Sequence, residues 1–290
     1  MPEPVPTIRN IAITALPQVL EARELATRIA AFLEARGVRA AHASLYDEGL
    51  RRQVRAKEFE LLLALGGDGT MLRAGHLCGP AQVPILGINM GRFGFLTEVE
   101  QDQWEVYLPR LLSGDYRLER RMMLSAEQWR GGEHLGTWDV LNEVVVGRGQ
   151  ILRPVHLTAH VDGRFLTTYV ADALIAATPT GSTAYALAAG GPILPPELRN
   201  ILLVAVAPHL SLDRAIVLAE GSSVSIIVHT DHQAVLSVDG QEPIVLADGD
   251  RVDARASDHN VQFVRFQDPG YFYRSLTPHM SQNPSSGDHQ

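Results

Sequence analysis

The sequence predicts an α/β domain built on an open parallel sheet, followed by a mostly antiparallel β-rich domain. Strand-like apolar runs alternate with helical stretches through residues 1–120, and from about Tyr116 the runs alternate without long helical patterns. Asp-Gly pairs then punctuate the second part at 162–163, 239–240 and 248–249. Strands separated by helices pair in parallel, whereas an Asp-Gly pair between β-rich runs marks a hairpin, because both positions tolerate positive φ.

Ile8 to Leu16 reads as the first strand. Pro17 opens a helical stretch to Arg36, with Leu20, Leu25, Ile29, Phe32 and Leu33 on one apolar stripe. Proline suits a first helical turn, and Gly37 suits the exit. Val38 to Leu45 reads as a second strand. Phe59 to Leu65 is a dense apolar run, as expected of a strand covered on both faces. A glycine turn, a short helix from about Thr70 and a buried strand over Pro84 to Ile88 follow. In the second part, His156 to Val161 and Arg164 to Val170 flank Asp162-Gly163, and one helical insert spans Ser182 to Ala189. The expected boundaries are an α/β domain over 1–120, a β-rich domain over 121–270 and a terminal segment over 271–290, with Ser281 to Gln290 a loose polar tail.

With 46% hydrophobic and 20% charged residues, the 290-residue chain has the composition of a globular protein with a real core. A net charge of −8 argues against a nucleic-acid partner. It also requires a cation to accompany any phosphate-rich substrate. The one cysteine, Cys78, allows no internal disulfide and no thiolate zinc cage, which fits a reducing compartment. No export signal opens the chain at Met1-Pro2-Glu3-Pro4, and runs such as Ile201 to Ala207 are too short to cross a bilayer. A cytoplasmic location away from membranes is the expectation.

Four segments carry candidate chemistry. In Leu63-Ala64-Leu65-Gly66-Gly67-Asp68-Gly69-Thr70 a buried strand ends, glycines make a tight turn, and a helix begins. Helix-start N–H groups favour phosphate oxygens there, and ligands of open α/β sheets bind at such strand ends. Asp68 would be repelled by phosphate, so it either takes a proton from an attacking hydroxyl, holds a metal ion, or is an ordinary Asp-Gly helix cap. In Asp139-Val140-Leu141-Asn142-Glu143-Val144-Val145-Val146, Asn142 and Glu143 interrupt a β-branched run. One of the pair then points inward and needs a polar partner such as sugar hydroxyls, unless the strand end is frayed into water.

The third segment runs from Tyr169 to Ala186 and contains Asp172, a single acid in an apolar stretch, then Thr178-Pro179-Thr180-Gly181-Ser182-Thr183-Ala184-Tyr185. Its hydroxyls either cap a helix or hold a ligand, with small alanines leaving room for close approach. The fourth, Gly87-Ile88-Asn89-Met90-Gly91-Arg92-Phe93-Gly94-Phe95-Leu96, is a glycine loop at the end of another parallel strand, in which Phe95 stacks on a base or joins the core. His229 and His232 lie in a polar turn with no third metal ligand evident. No Walker-type lysine follows Thr70, and no Gly-x-Ser-x-Gly elbow occurs.

In this order the four segments resemble the NAD kinase family over nearly the whole chain. The Asp68 turn alone is shared with diacylglycerol-type lipid kinases and looks like phosphofructokinases. Its combination with Asn142-Glu143, the Thr178-to-Tyr185 segment and the Asn89-to-Leu96 loop points to NAD kinases, and Val238-Asp239-Gly240-Gln241 looks like the family's late hairpin. The resemblance implies a Rossmann-like α/β domain, a β-rich dinucleotide-binding domain, and a terminal segment returning to the first. It implies phosphoryl transfer from ATP with a divalent metal, Mg2+ above all, or from polyphosphate, to the 2′-hydroxyl of the adenosine ribose of NAD, giving NADP.

By the same resemblance Asp68 would orient and deprotonate that hydroxyl, Gly69 would line the nucleotide site, and Phe95 would border the adenine. Asn142 and Glu143 would bind NAD, Asp172 would meet its nicotinamide end, and Thr183, Ala184 and Tyr185 would wall the pocket. Homodimers or homotetramers are implied, and Arg92, Arg148 and Arg153 are candidates for the donor phosphates. Members often carry Ser where Ala188 stands, which predicts a tuned affinity. The alternatives are a lipid kinase with the same turn, disfavoured by the lack of a basic amphipathic segment, and a non-catalytic dinucleotide sensor.

Overall fold

The computed structural model describes residues 8–15, 18–91, 94–150, 153–209 and 212–281. Met1-Pro2-Glu3-Pro4, Leu16, Pro17, Arg92 and the tail beyond Ser281 lie outside the described residues. The chain divides into two compact units, residues 1–120 with 261–290, and residues 121–260.

In the first unit, β1 (Asn10–Ala15), β2 (Arg39–Ala43), β3 (Leu61–Leu65) and β4 (Ile85–Asn89) pair in parallel in the order β2-β1-β3-β4. Every residue of β3 and β4 is buried, which is why neither run alternates. The crossovers are α1 (Leu20–Glu34), α2 (Glu48–Arg55) and α3 (Asp68–Ala81). Leu25, Ile29 and Leu33 of α1 are buried, whereas Leu20, placed on the same stripe by the sequence, is exposed. The helix α2 is not legible in the sequence, because only Leu50 and Val54 of its eight residues are buried. Its start is set by the Asp47 side chain, which accepts the Leu50 N–H at 2.8 Å. Next come β5 (Val99–Glu100) and α4 (Trp104–Leu112), whose Trp104 meets Phe32 edge-on at 5.3 Å between ring centroids.

The chain leaves the first unit inside β6 (Arg117–Arg130) and returns inside β17 (Arg251–Arg265). The return begins at Val261, not at residue 271, because Val261, Phe263 and Val264 are buried in the first unit. Phe263 pairs in parallel with Ile85 of β4, and α6 (Tyr271–Ser281) follows.

The second unit is a β-sandwich. Its strands are β7 (Glu133–Val140), β8 (Glu143–Arg148), β9 (Val155–Val161), β10 (Arg164–Ala171), β11 (Ala173–Ala177), β12 (Asn200–Val206), β13 (Ile216–Ala219), β14 (Ser223–His229), β15 (Ala234–Val238) and β16 (Ile244–Leu246). One sheet runs β10-β9-β14-β17 and the other β13-β12-β11-β8-β15-β16, with antiparallel neighbours in both. Val144, Leu157, Tyr169, Leu203 and Ile226 share one core. A fully buried side chain of this size contributes about 1.5–3 kcal/mol, so the inward face of each strand is fixed.

The Asp-Gly pairs behave differently. Asp162 (φ 51°) and Gly163 (φ 73°) close the tight β9–β10 hairpin, and Asp239 (φ 48°) and Gly240 (φ 66°) begin the β15–β16 connection. Asp248-Gly249 joins β16 to β17, which lie in different sheets, so it is a crossover and not a hairpin. The expected helix over Ser182 to Ala189 is broken. A 3-10 turn at Gly181–Thr183 and the short α5 (Tyr185–Ala188) are separated by Ala184, at φ −103° and ψ −128°. Among the described residues no helix is long and apolar enough to span a membrane.

Candidate active site

The first unit places Asp68 as the opening residue of α3, straight after the extended Gly67. Thr70 packs so closely over Gly66 that any side chain there would collide with it, which explains one of the turn's glycines. The Asp68 carboxylate does not cap its own helix. Its Oδ2 accepts the Phe95 N–H at 2.9 Å and its Oδ1 the Leu96 N–H at 3.0 Å. The glycine loop after β4 therefore grips the acid, with Gly94 packed against the carboxylate. Asn89 shapes the start of that loop by donating to the Gly91 carbonyl at 3.0 Å. Phe95 is only partly buried, unlike a core aromatic. Gly69 is exposed, and its carbonyl accepts from Arg73 at 3.1 Å. Arg73 was missed in the sequence. Its position four residues after Gly69 on a helix puts it on the same face, which is the signal that finds it.

In the second unit Asn142, Glu143, Thr183, Ala184 and Tyr185 come together where β8 begins and β11 ends. Asp239 organises this corner: its carboxylate accepts the N–H groups of Leu141 at 2.7 Å, Asn142 at 2.7 Å and Glu143 at 2.9 Å. Thr178 returns two bonds to the same segment, from its N–H to the Asn142 carbonyl at 2.8 Å and from its hydroxyl to the Leu141 carbonyl at 2.6 Å. Gly181 lies so close to the Asn142 carbonyl that a methyl group would collide with it.

The segment's hydroxyls serve this packing. Ser182 donates to the Pro179 carbonyl at 2.7 Å, Thr183 donates to the Thr180 carbonyl at 3.2 Å, and Thr180 accepts from the buried Arg121 at 3.2 Å. Ala188 is exposed on α5.

Glu143 is the inward member of the Asn-Glu pair, at 7% exposure. Burial, together with the nearby Asp239 charge, pushes its carboxyl up to about 8 against the opposing pull of a bond from the Tyr185 N–H. Its Oε2 is buried with no hydrogen-bond partner. Such an atom is stabilised when a ligand hydroxyl or amide reaches it. Asp172 lies at the far end of the same strand pair, about 16 Å along β8 at the usual rise per residue. There it forms an ion pair with Arg148 at 3.0 Å. His229 sits opposite His156 across the β9–β14 ladder, and His232 contacts the Pro154 and Gln233 carbonyls.

A parallel α/β unit with a gripped aspartate in a glycine turn, and a β-sandwich with a buried carboxylate that has one unpartnered oxygen, define a nucleotide-handling phosphotransferase of two-unit build. Residues 23–116 match the ATP-NAD kinase N-terminal domain and residues 141–266 the ATP-NAD kinase C-terminal domain. The NAD kinase of Geobacter sulfurreducens is 38% identical over 276 residues, covering 91% of this chain and 96% of that protein. That of Moorella thermoacetica is 38% identical over 273 residues, covering 91% and 87%. Among solved structures, an NAD kinase from Archaeoglobus fulgidus in complex with ATP matches with a TM-score of 0.75 at 26% identity, covering 93% of this chain and 98% of that one. Yeast NADH kinase complexed with NADH shares the fold with a TM-score of 0.83 at 24% identity, covering 98% and 91%. The chain belongs to the NAD kinase family.

Proposed function

We propose that this protein phosphorylates NAD at the 2′-hydroxyl of its adenosine ribose, with ATP as donor, and that Asp68 is the base. The observation that carries the reading is the grip on Asp68. Two backbone N–H groups fix the orientation of its carboxylate at the helix start, so it stands ready to take a proton without reorganising. As the hydroxyl proton passes to Asp68, the ribose oxygen attacks the terminal phosphorus in line and the bond to the leaving diphosphate oxygen breaks. The helix start and Arg73 offer positive partners to the donor phosphates.

A magnesium ion carried in by ATP would be held chiefly by the substrate phosphates, since no cluster of three or more metal-ligating side chains occurs among the described residues. The ion would neutralise phosphate charge, which an acidic chain needs. Asn142, Glu143 and the Thr183-to-Tyr185 wall hold the dinucleotide, with Glu143 Oε2 taking a ligand donor. Phe95 borders the adenine. Asp172, at the other end of β8, reaches the nicotinamide half, a separation on the scale of an extended dinucleotide. Assembly as a homodimer or homotetramer in the cytoplasm completes the proposal.

The test is incubation with ATP, magnesium and NAD, with NADP followed by an NADP-specific dehydrogenase and polyphosphate offered as a second donor. NADP is the expected product. Folded protein that makes none overturns the reading. Labelled phosphate in diacylglycerol would make it a lipid kinase, and NAD binding without ATP consumption would make it a sensor.

A further inference from the structure

A buried guanidinium stands behind the loop that grips Asp68. Arg265, the last residue of β17, is 5% exposed. Its Nη1 donates to the Leu96 carbonyl at 3.0 Å, and the N–H of the same Leu96 donates to Asp68. Its Nε donates to Glu119 at 3.1 Å and lies 3.7 Å from Glu98 Oε2. The other oxygen of Glu98 accepts the N–H groups of Phe266 at 2.9 Å and Gln267 at 2.8 Å, which fixes the chain just after Arg265. The Phe263 ring supports it at 5.3 Å.

A planar guanidinium hydrogen-bonded to one carboxylate, within ion-pair range of a second and bonded to a backbone carbonyl has little freedom left, so the carbonyl it meets is placed with it. Stability alone does not account for such a cluster, because buried ion clusters are often matched or exceeded by apolar side chains of similar volume. What the cluster adds is a defined position for Leu96, one bond away from the acid.

We propose that Arg265 is a positioning residue for phosphoryl transfer: through Leu96 it sets where the Asp68 carboxylate sits. This rests on the reading of Asp68 as the base. Wild type, R265K, E119Q and D68N are compared by NADP formation, thermal midpoint and amide hydrogen exchange. R265K keeps the charge and loses the fork. It is expected to lower kcat about tenfold or more, leave KM for NAD within about twofold, and speed exchange at the Phe95 and Leu96 amides ahead of the rest of the unit. E119Q keeps the Leu96 contact and loosens the fork, so a smaller change in the same direction is expected, and it decides the matter if R265K does not fold. Unchanged kcat in the folded variant overturns the proposal, as does a loss accompanied by exchange raised evenly through the unit. Full turnover in D68N removes Asp68 as the base, whereas a dead D68N beside a fully active R265K removes only Arg265.

Discussion

Gly94 and Asp68 are fitted to each other: a Cβ on Gly94 would occupy the space of the Asp68 carboxylate. The restriction is steric. Gly94→Ala is therefore expected to displace the acid and lower kcat about tenfold or more while the protein still folds. Steady-state kinetics beside a thermal melt check this, and normal turnover in G94A would mean that the loop yields without moving Asp68.

Asp68→Asn keeps the shape but turns one acceptor into a donor facing the Phe95 or Leu96 N–H. Turnover is expected to fall by about 10²–10⁴, the range for loss of a general base. Calorimetry should find NAD affinity within a few-fold of wild type.

Asp239→Ala removes a charged acceptor from three backbone N–H groups. Each such bond contributes about 1.5–3 kcal/mol, without simple additivity. Both the melting temperature and NAD affinity are expected to fall, with KM affected more than kcat. Asp239→Asn should also let the Glu143 carboxyl move down towards its ordinary range, because the Asp239 charge is the second cause of its elevation, after burial.

Glu143 makes stability depend on pH. Below about 4.5 its carboxyl is protonated in the folded and unfolded chains alike. Between there and about 8 the unfolded chain releases the proton while the folded chain retains it, so stability falls as pH rises. Glu143→Gln removes that slope. Denaturant titrations at about pH 5 and about pH 8.5 should give a stability gain for E143Q that grows with pH, and an equal gain at both would rule Glu143 out as its source.

The parallel sheet was legible because β3 and β4 are covered on both faces and their runs carry no alternation to misread. The helix α2 was not, since two buried residues make a stripe too thin to see. Gly131 (φ 55°) and Gly132 (φ 90°), between β6 and β7, form a turn with no Asp-Gly pair to mark it. At the site, Asp68 and Glu143 stood out as acids in apolar or glycine surroundings. Asp239 and Arg265 did not, because each acts on backbone groups far away in the chain, at separations such as 97 and 169 residues. Local spacing carries no trace of such a bond.

The way the chain leaves the first unit and comes back has a consequence for biosynthesis. Phe263 and Val264 are core residues of that unit, yet the 140 residues 121–260 are made before them. At about 5–20 residues per second, the ribosome delivers them roughly seven to thirty seconds after Arg120. Until then β4 lacks its β17 partner at Ile85, and Leu96 lacks the Arg265 bond behind the loop that holds Asp68. The sandwich, complete within one unbroken stretch, is free to fold first, so the corner around Glu143 can form before the loop that holds Asp68 is anchored.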